Sequence, residues 1–289
     1  MSRPVTVGVD GSPESIAAAE WAAQESLLRH LPLRIVHAEV WPGTEPVLGI
    51  DPDTQRRWAE ELLAETAEAV VRKQPSLQVE TRHLSGRPAA VLAREAAESS
   101  LLVLGSRGLS GVMGFLLGSV GMATISATKA PVVLVRDPGR ATVPNHAAPA
   151  SASRDVLVGV DINQLFAPLL DFGFQEAARR GDRVLALHGW SIPPVVRDAS
   201  ALVAAEREMG PDAASRLAEA LKPWRQRFPS VEVVERSLIG GPAQLLLHAA
   251  ADADLVVVGR RLHRGSLIGP VAHAVIHHCA APVAVIAHD

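Results

Sequence analysis

The sequence predicts an α/β protein made of two tandem doubly wound domains, each a five-stranded, mostly parallel sheet flanked by helices. Three observations lead there. First, the 289-residue chain repeats itself. Val5 to Asp10 (VTVGVD) matches Val156 to Asp161 (VLVGVD), and Ile35-Val36-His37 matches Ala186-Leu187-His188, both at an offset of 151. Gly86-Arg87-Pro88-Ala89 then matches Gly240-Gly241-Pro242-Ala243, and Leu101 to Gly105 (LLVLG) matches Leu255 to Gly259 (LVVVG), both at an offset of 154. Ala130-Pro131-Val132-Val133 matches Ala281-Pro282-Val283-Ala284 at 151 again, so one loop of the second copy is three residues shorter. Second, short Val/Leu/Ile runs alternate with stretches of helical period, as in βαβ units whose parallel strands are buried on both faces. Third, Asp137 to Ser153 (DPGRATVPNHAAPASAS) is rich in Pro, Ala and Ser without a hydrophobic period, and reads as an exposed linker. The expected layout is a first domain over 1–137, a linker over 138–153 and a second domain over 154–289, each near the usual domain size.

In the first copy, strands are expected at Thr6–Val9, Arg34–His37, Gln78–Thr81, Leu101–Leu104 and Val132–Val135, with helices between them. Ser12-Pro13 supplies an N-cap and an N1 proline for a helix reaching about Arg29, and Pro88 starts another that ends near Glu98. Right-handed crossovers leave few topologies, of which the open doubly wound sheet is the natural one. The last strands of the two copies, Val132–Val135 and Val283–Ala287, are expected to lie side by side across a pseudo-two-fold, covering two apolar edges. The sequence leaves open whether two whole chains associate further.

Composition removes several classes of function. A net charge of −3 provides no basic face for releasing counterions, and with no Tyr and few Phe and Trp there is little to stack on bases, so no nucleic-acid partner is expected. The most apolar stretch, Gly111 to Ala127, is broken by Gly, Ser and Thr and falls short of the roughly 20 apolar residues of a bilayer span. With no signal-peptide pattern at the N-terminus, a cytoplasmic location is expected. The single cysteine, Cys279, has no partner for an internal disulfide.

In a doubly wound sheet, ligands bind beyond the carboxyl ends of strands where the winding reverses, and strands one and four are the expected pair. Strand one ends in Gly8-Val9-Asp10-Gly11 and strand four in Gly105-Ser106-Arg107-Gly108, with Gly118-Ser119-Val120 following. Without Cβ atoms, Gly105 and Gly108 can take positive φ and bring backbone N–H groups close to phosphate oxygens. Gly118 and Ser119 open the last helix, whose unpaired N–H groups and positive dipole end favour an anion.

This spacing, with the flanking VDGS and the final APVVLV, resembles the ATP-binding branch of the universal stress protein family, and the resemblance covers both copies nearly end to end. It implies pairing of two such units and ATP, with Mg²⁺, held without a Walker loop. Neither GxxxxGK[ST] nor GxGxxG occurs in the chain. By position, the resemblance sets Asp10 at the ribose or a phosphate-bound Mg²⁺, Gly8 where the adenosine approaches strand one, and Ala38 beside the adenine. Gly105, Ser106, Arg107, Gly108, Gly118, Ser119 and Val120 would cradle the phosphates. The same residues have plainer uses: Asp10 as a cap of the first helix, the glycines as a tight turn, Ser119 as an N-cap and Arg107 as a solvated charge.

The second copy keeps Gly159, Asp161, Gly259 and Gly269, but Leu262 stands in place of Gly108 and Pro270 in place of Ser119. A Cβ penalises positive φ and a proline lacks the N–H that phosphate wants, so this site is expected to be weak or empty. Arg260, Arg261 and Arg264 can attract an anion or simply form an exposed arginine cluster. His273 and His277 form an i, i+4 pair of the sort that can hold zinc, but no Glu follows the first His, and no metal site is expected. His37 and His188 close their second strands and are expected to hydrogen-bond locally. The leading expectation is an ATP-dependent regulatory or sensor protein of the stress response with slow or no turnover. The alternatives are a weak Mg²⁺-dependent ATPase or phosphotransferase and a dimeric scaffold with idle pockets.

Overall fold

The computed structural model describes residues 2–39, 52–106, 118–137, 155–164, 166–191, 199–262 and 268–288, in two compact units. In the first, the elements run β1 (Val5–Gly8), α1 (Pro13–Arg29), β2 (Leu33–Glu39), α2 (Pro52–Lys73), β3 (Val79–Ser85), α3 (Pro88–Glu98), β4 (Leu101–Gly105), α4 (Ser119–Ala127) and β5 (Val132–Val135). Every pairing is parallel: β1 with β2, β2 with β3, β1 with β4 and β4 with β5. The strand order is therefore β3-β2-β1-β4-β5, and the winding reverses between β1 and β4. Right-handed crossovers place α1 and α2 on one face and α3 and α4 on the other.

The strand runs are apolar because both faces are covered. Val5, Val7, Leu33, Ile35, Val36, Leu101, Leu102 and Val103 have no exposed surface. Helix α1 starts as Ser12-Pro13 dictates: Ser12 is the N-cap, its hydroxyl accepts from Ser15 N at 3.2 Å, and Pro13 needs no donor at the first helical position. It ends at His30, whose left-handed φ of 53° closes the helix.

Two strands run beyond their expected ends. β2 continues to Glu39 and β3 to Ser85, in register from Leu33↔Val79 to Glu39↔Ser85. The polar sequence of β3, VETRHLS, hides its strand character because this strand pairs on one side only within its unit and keeps polar side chains outward. Its charges are put to use. Arg34, 8% exposed, bonds Glu80 of β3 and reaches Glu95 of α3 at 3.3 Å, while Arg82 meets the other Glu95 oxygen at 3.1 Å.

The second unit repeats the plan: β6 (Asp155–Gly159), α5 (Ala167–Arg180), β7 (Arg183–Trp190), α6 (Ala199–Arg227), β8 (Val233–Ile239), α7 (Pro242–Ala249), a 3-10 turn, β9 (Ala253–Arg261), α8 (Pro270–His278) and β10 (Val283–His288). All pairings are again parallel, in the order β10-β9-β6-β7-β8. Arg183 at the start of β7 binds Asp155 of β6, and this hydrogen bond and charge raise its pKa above the ordinary arginine value. Among the described residues, no helix is long and apolar enough to cross a membrane.

The Arg34–Glu95 contact gives a stability prediction. Glu95→Ala leaves Arg34 bonded to Glu80 but takes away its buried carboxylate partner, and should cost about 1–3 kcal/mol. Glu20→Ala, at the exposed Glu20–Lys73 pair, should leave stability nearly unchanged. Urea unfolding of the two variants checks this, and equal midpoints would contradict the assignment.

Candidate functional site

At the carboxyl ends of β1 and β4 the chain turns away in opposite directions, opening a crevice of about 290 Å³. Its walls come from the β1–α1 turn (Gly8, Val9, Asp10, Ser12, Ser15), from β2 (Val36, Ala38), from α3 (Pro88, Leu92), from β4 (Leu104, Gly105) and from the first turn of α4 (Gly118 to Gly121). Seven of the residues singled out in the sequence line it: Gly8, Asp10, Ala38, Gly105, Gly118, Ser119 and Val120.

The β1–α1 turn is closed by its own hydrogen bonds. Asp10 Oδ1 accepts from Ser12 N at 3.0 Å and from Ser12 Oγ at 2.5 Å, and the Asp10 amide donates to Ser15 Oγ at 3.2 Å. Gly11, at φ +79°, makes the turn possible. Asp10 is thus not the helix cap; it orients Ser12, which is. From behind, His37 Nδ1 meets the carbonyl of Val9 at 2.8 Å, and His188 repeats that bond to Val160 at 2.9 Å, as expected of both histidines.

Gly105 works differently from the expectation. Its φ is not positive; the described residues that are glycines at positive φ are Gly11, Gly86, Gly181 and Gly240. A Cβ at Gly105 would instead lie 2.7 Å from Glu14 C and Ser15 N, main-chain atoms of the first turn of α1. The bare α-carbon lets the end of β4 abut that turn. Ser106 departs from its expected phosphate role for a related reason. It is 3% exposed, its amide donates to Val135 O at 2.7 Å and its hydroxyl lies 3.3 Å from the same carbonyl, so it is turned to β5 and is not a wall of the crevice. Arg107 and Gly108 lie outside the described residues.

Helix α4 presents its first turn to the crevice. Gly118 is the N-cap and offers no side-chain acceptor; Ser119, the first helical residue, and Val120 are exposed. The first-turn amides of Ser119, Val120 and Gly121 have no intrahelical acceptor by position, which favours an anion there. Opposite them, Val36, Ala38, Pro88, Leu92 and Leu104 form an apolar slot. The sequence reading missed the slot residues on α3 and the part played by Ser12 and Ser15. Only the serines left a signal, as the start of α1.

In the second unit the described residues at the equivalent strand ends bond to one another. Asp161 Oδ1 accepts from Asn163 N at 3.0 Å, as Asp10 does from Ser12. Arg261 at the end of β9 bonds Gln164 across the crevice, and Arg216 of α6 bonds Asn163 at 2.9 Å. A Cβ on Gly259 would meet the His288 ring at 2.8 Å, and that ring stacks on Phe166 at 3.3 Å. Gly269 caps α8, but Pro270 in its first turn carries no N–H. Arg260, expected in an exposed cluster, is 1% exposed, and burial pushes its guanidinium below the ordinary arginine range; Arg264 lies outside the described residues. His273 and His277 pack ring to ring at 4.2 Å.

The family model of the Universal stress protein family matches residues 1–136 and again 153–287. The chain belongs to the universal stress protein family. Universal stress protein Rv2005c of Mycobacterium tuberculosis is 34% identical, with 99% of each chain covered. Among solved structures, a universal stress protein from Archaeoglobus fulgidus DSM 4304 shares the fold at a TM-score of 0.69 and 20% identity, covering 99% of this chain and 98% of that one. A universal stress protein from Archaeoglobus fulgidus in complex with dAMP matches 46% of this chain and 96% of that one, at 25% identity and a TM-score of 0.36. This universal stress protein thus carries two copies of the family's unit, with a crevice at the β1 and β4 ends of the first and an Arg261–Gln164 bond at the equivalent strand ends of the second.

Gly105→Ala should cost about 1–3 kcal/mol, because main-chain atoms of α1 cannot move aside as a flexible side chain would. Gly241→Ala, at φ −66° and ψ 121° with Gln244 Oε1 3.7 Å from the added Cβ, should cost less than about 1 kcal/mol. Denaturant midpoints decide between them; a silent Gly105→Ala would remove the close approach from the account.

Proposed function

We propose that the first unit binds ATP and that the protein acts as a nucleotide-dependent regulatory protein of the stress response, with slow or no turnover. The observation that supports this reading best is the meeting, in one crevice, of an apolar slot, a carboxylate turn and an uncapped helix N-terminus. The slot of Val36, Ala38, Leu92 and Leu104 suits a flat base, and Ala38 is small enough to leave it room. Asp10 sits where ribose hydroxyls, or water on a phosphate-bound Mg²⁺, would find an acceptor. The amides of Ser119, Val120 and Gly121, with the Ser119 hydroxyl, are placed to donate to phosphate oxygens, and the dipole of α4 adds to their pull. Mg²⁺, when bound, would neutralise charge between phosphates.

Slow turnover follows from what the walls hold. Among the described wall residues Asp10 is the one carboxylate, and there is no His, Lys or Glu. Asp10 is already engaged with Ser12 N and Oγ, and the described wall residues hold no second group to take a proton from an attacking water. Holding a nucleotide needs only the donors and the slot; hydrolysing it needs more.

Ser119→Pro gives a clean test. Proline is tolerated in the first helical turn, as Pro270 shows in the second unit, yet it removes an amide and a hydroxyl from the crevice. ATP affinity should fall by about 10- to 150-fold, the worth of a hydrogen bond to a charged group. Pro270→Ala should leave affinity unchanged. Titration calorimetry with Mg²⁺-ATP reads both, and no heat with the natural sequence, or equal affinity for Ser119→Pro, would contradict the reading.

A further inference from the structure

We propose that Glu39 and His83 form a seat for a divalent transition-metal ion in the first unit, separate from the nucleotide crevice. Glu39 ends β2 and His83 lies on the neighbouring β3, and both point to the face of the sheet that α2 covers. Glu39 is 8% exposed. Its Oε1 lies 2.7 Å from His83 Nε2, yet Nε2 has no hydrogen-bond partner, and neither has Glu39 Oε2. A buried carboxylate oxygen and a buried imidazole nitrogen 2.7 Å apart, misaligned for N–H···O, are close enough for one ion to bind both once the imidazole proton is on Nδ1. Native structures seldom leave such groups unsatisfied without a ligand to account for it.

The spacing is that of a chelate. Two donor atoms 2.7 Å apart, each bonded to one ion at about 2.05 Å, subtend about 82° at the ion, near the 90° of adjacent octahedral positions. A tetrahedral ion would need them about 3.3 Å apart. One imidazole with one carboxylate favours the cobalt, nickel and manganese class over magnesium or calcium, which prefer oxygen alone.

The surroundings hold the pair in place. His37 lies opposite His83 in the strand register, its ring stacked at 6.1 Å and 26°, and is itself fixed by its bond to Val9 O and by edge-on contact with Trp58 at 5.3 Å. Among the described residues no third His, Cys, Asp or Glu completes a protein-only cage. Water would fill the remaining positions, which makes the ion an exchangeable one. In the second copy, Trp190 and Ser237 stand in place of Glu39 and His83, so the seat belongs to the first unit alone.

Co²⁺ titration of the full chain, freed of metal by chelation and followed by visible absorption, tests this. The natural sequence, free of nucleotide, should bind one Co²⁺ saturably with the weak absorption of six-coordinate cobalt. Glu39→Gln and His83→Gln should each weaken binding by about tenfold or more, while His273→Ala, at the histidine pair of α8, should not. Circular dichroism confirms that the variants fold, and His83, partly exposed, tolerates change if Glu39 does not. Absence of saturable binding, or binding lost in His273→Ala and kept in His83→Gln, would overturn the proposal. Because ATP binding is read separately, failure here would leave the nucleotide reading standing.

Discussion

Where β1 and β4 lie side by side, the chain leaves them in opposite directions, and what this unit can do rests on how closely their ends are allowed to approach the helix that follows β1. Gly105 sets that distance. Because it has no side chain, the end of β4 lies against the main chain of the first turn of α1. That contact sets the first turn of α1, with its Ser12 cap and Asp10 turn, against the end of β4 at the crevice. The apolar slot from β2 and α3 and the amide-rich start of α4 complete the walls. Nothing in this needs a glycine-rich phosphate loop of the Walker type; helix ends and a strand reversal suffice.

The two units differ in what the residues at equivalent strand ends bond to. Both keep the glycine at each strand end, the acid after the first strand and the histidine that ties the second strand to it. The second differs in what surrounds them. The His288 ring fills the space beside Gly259 where α1 abuts Gly105 in the first unit, and Arg261 spans from β9 to Gln164. A proline in the first turn of α8 removes a donor that α4 retains. One unit presents donors to an anion, and the other spends its polar groups on one another. Tandem duplication permits this division, since one copy can keep the fold while the other keeps the site.

Much of the fold was legible because parallel strands buried on both faces must be nearly continuous Val, Leu and Ile runs, and because the repeat exposed each of them twice. β3 was read too short for the converse reason: an edge strand carries Glu, Arg and His outward, and its pairing with β2 leaves no mark in composition. The crevice was legible where chain position alone puts a residue on its wall, as for Asp10, Gly118 and Ser119. It was not where tertiary approach determines it. Gly105 reads as a turn glycine in sequence and is a packing glycine in three dimensions. Ser106 sits inside the loop motif, but its amide and hydroxyl go to the Val135 carbonyl of β5, and Arg260 reads as a surface charge although it is buried. Pro88 and Leu92 reach the crevice only through the crossover of α3.

The central proposal is that the first unit holds a nucleotide and the second does not. Native mass spectrometry of the intact chain in Mg²⁺-ATP measures this most directly. The account predicts a single added nucleotide per chain at saturation, and chains that take up two, or none, would contradict it.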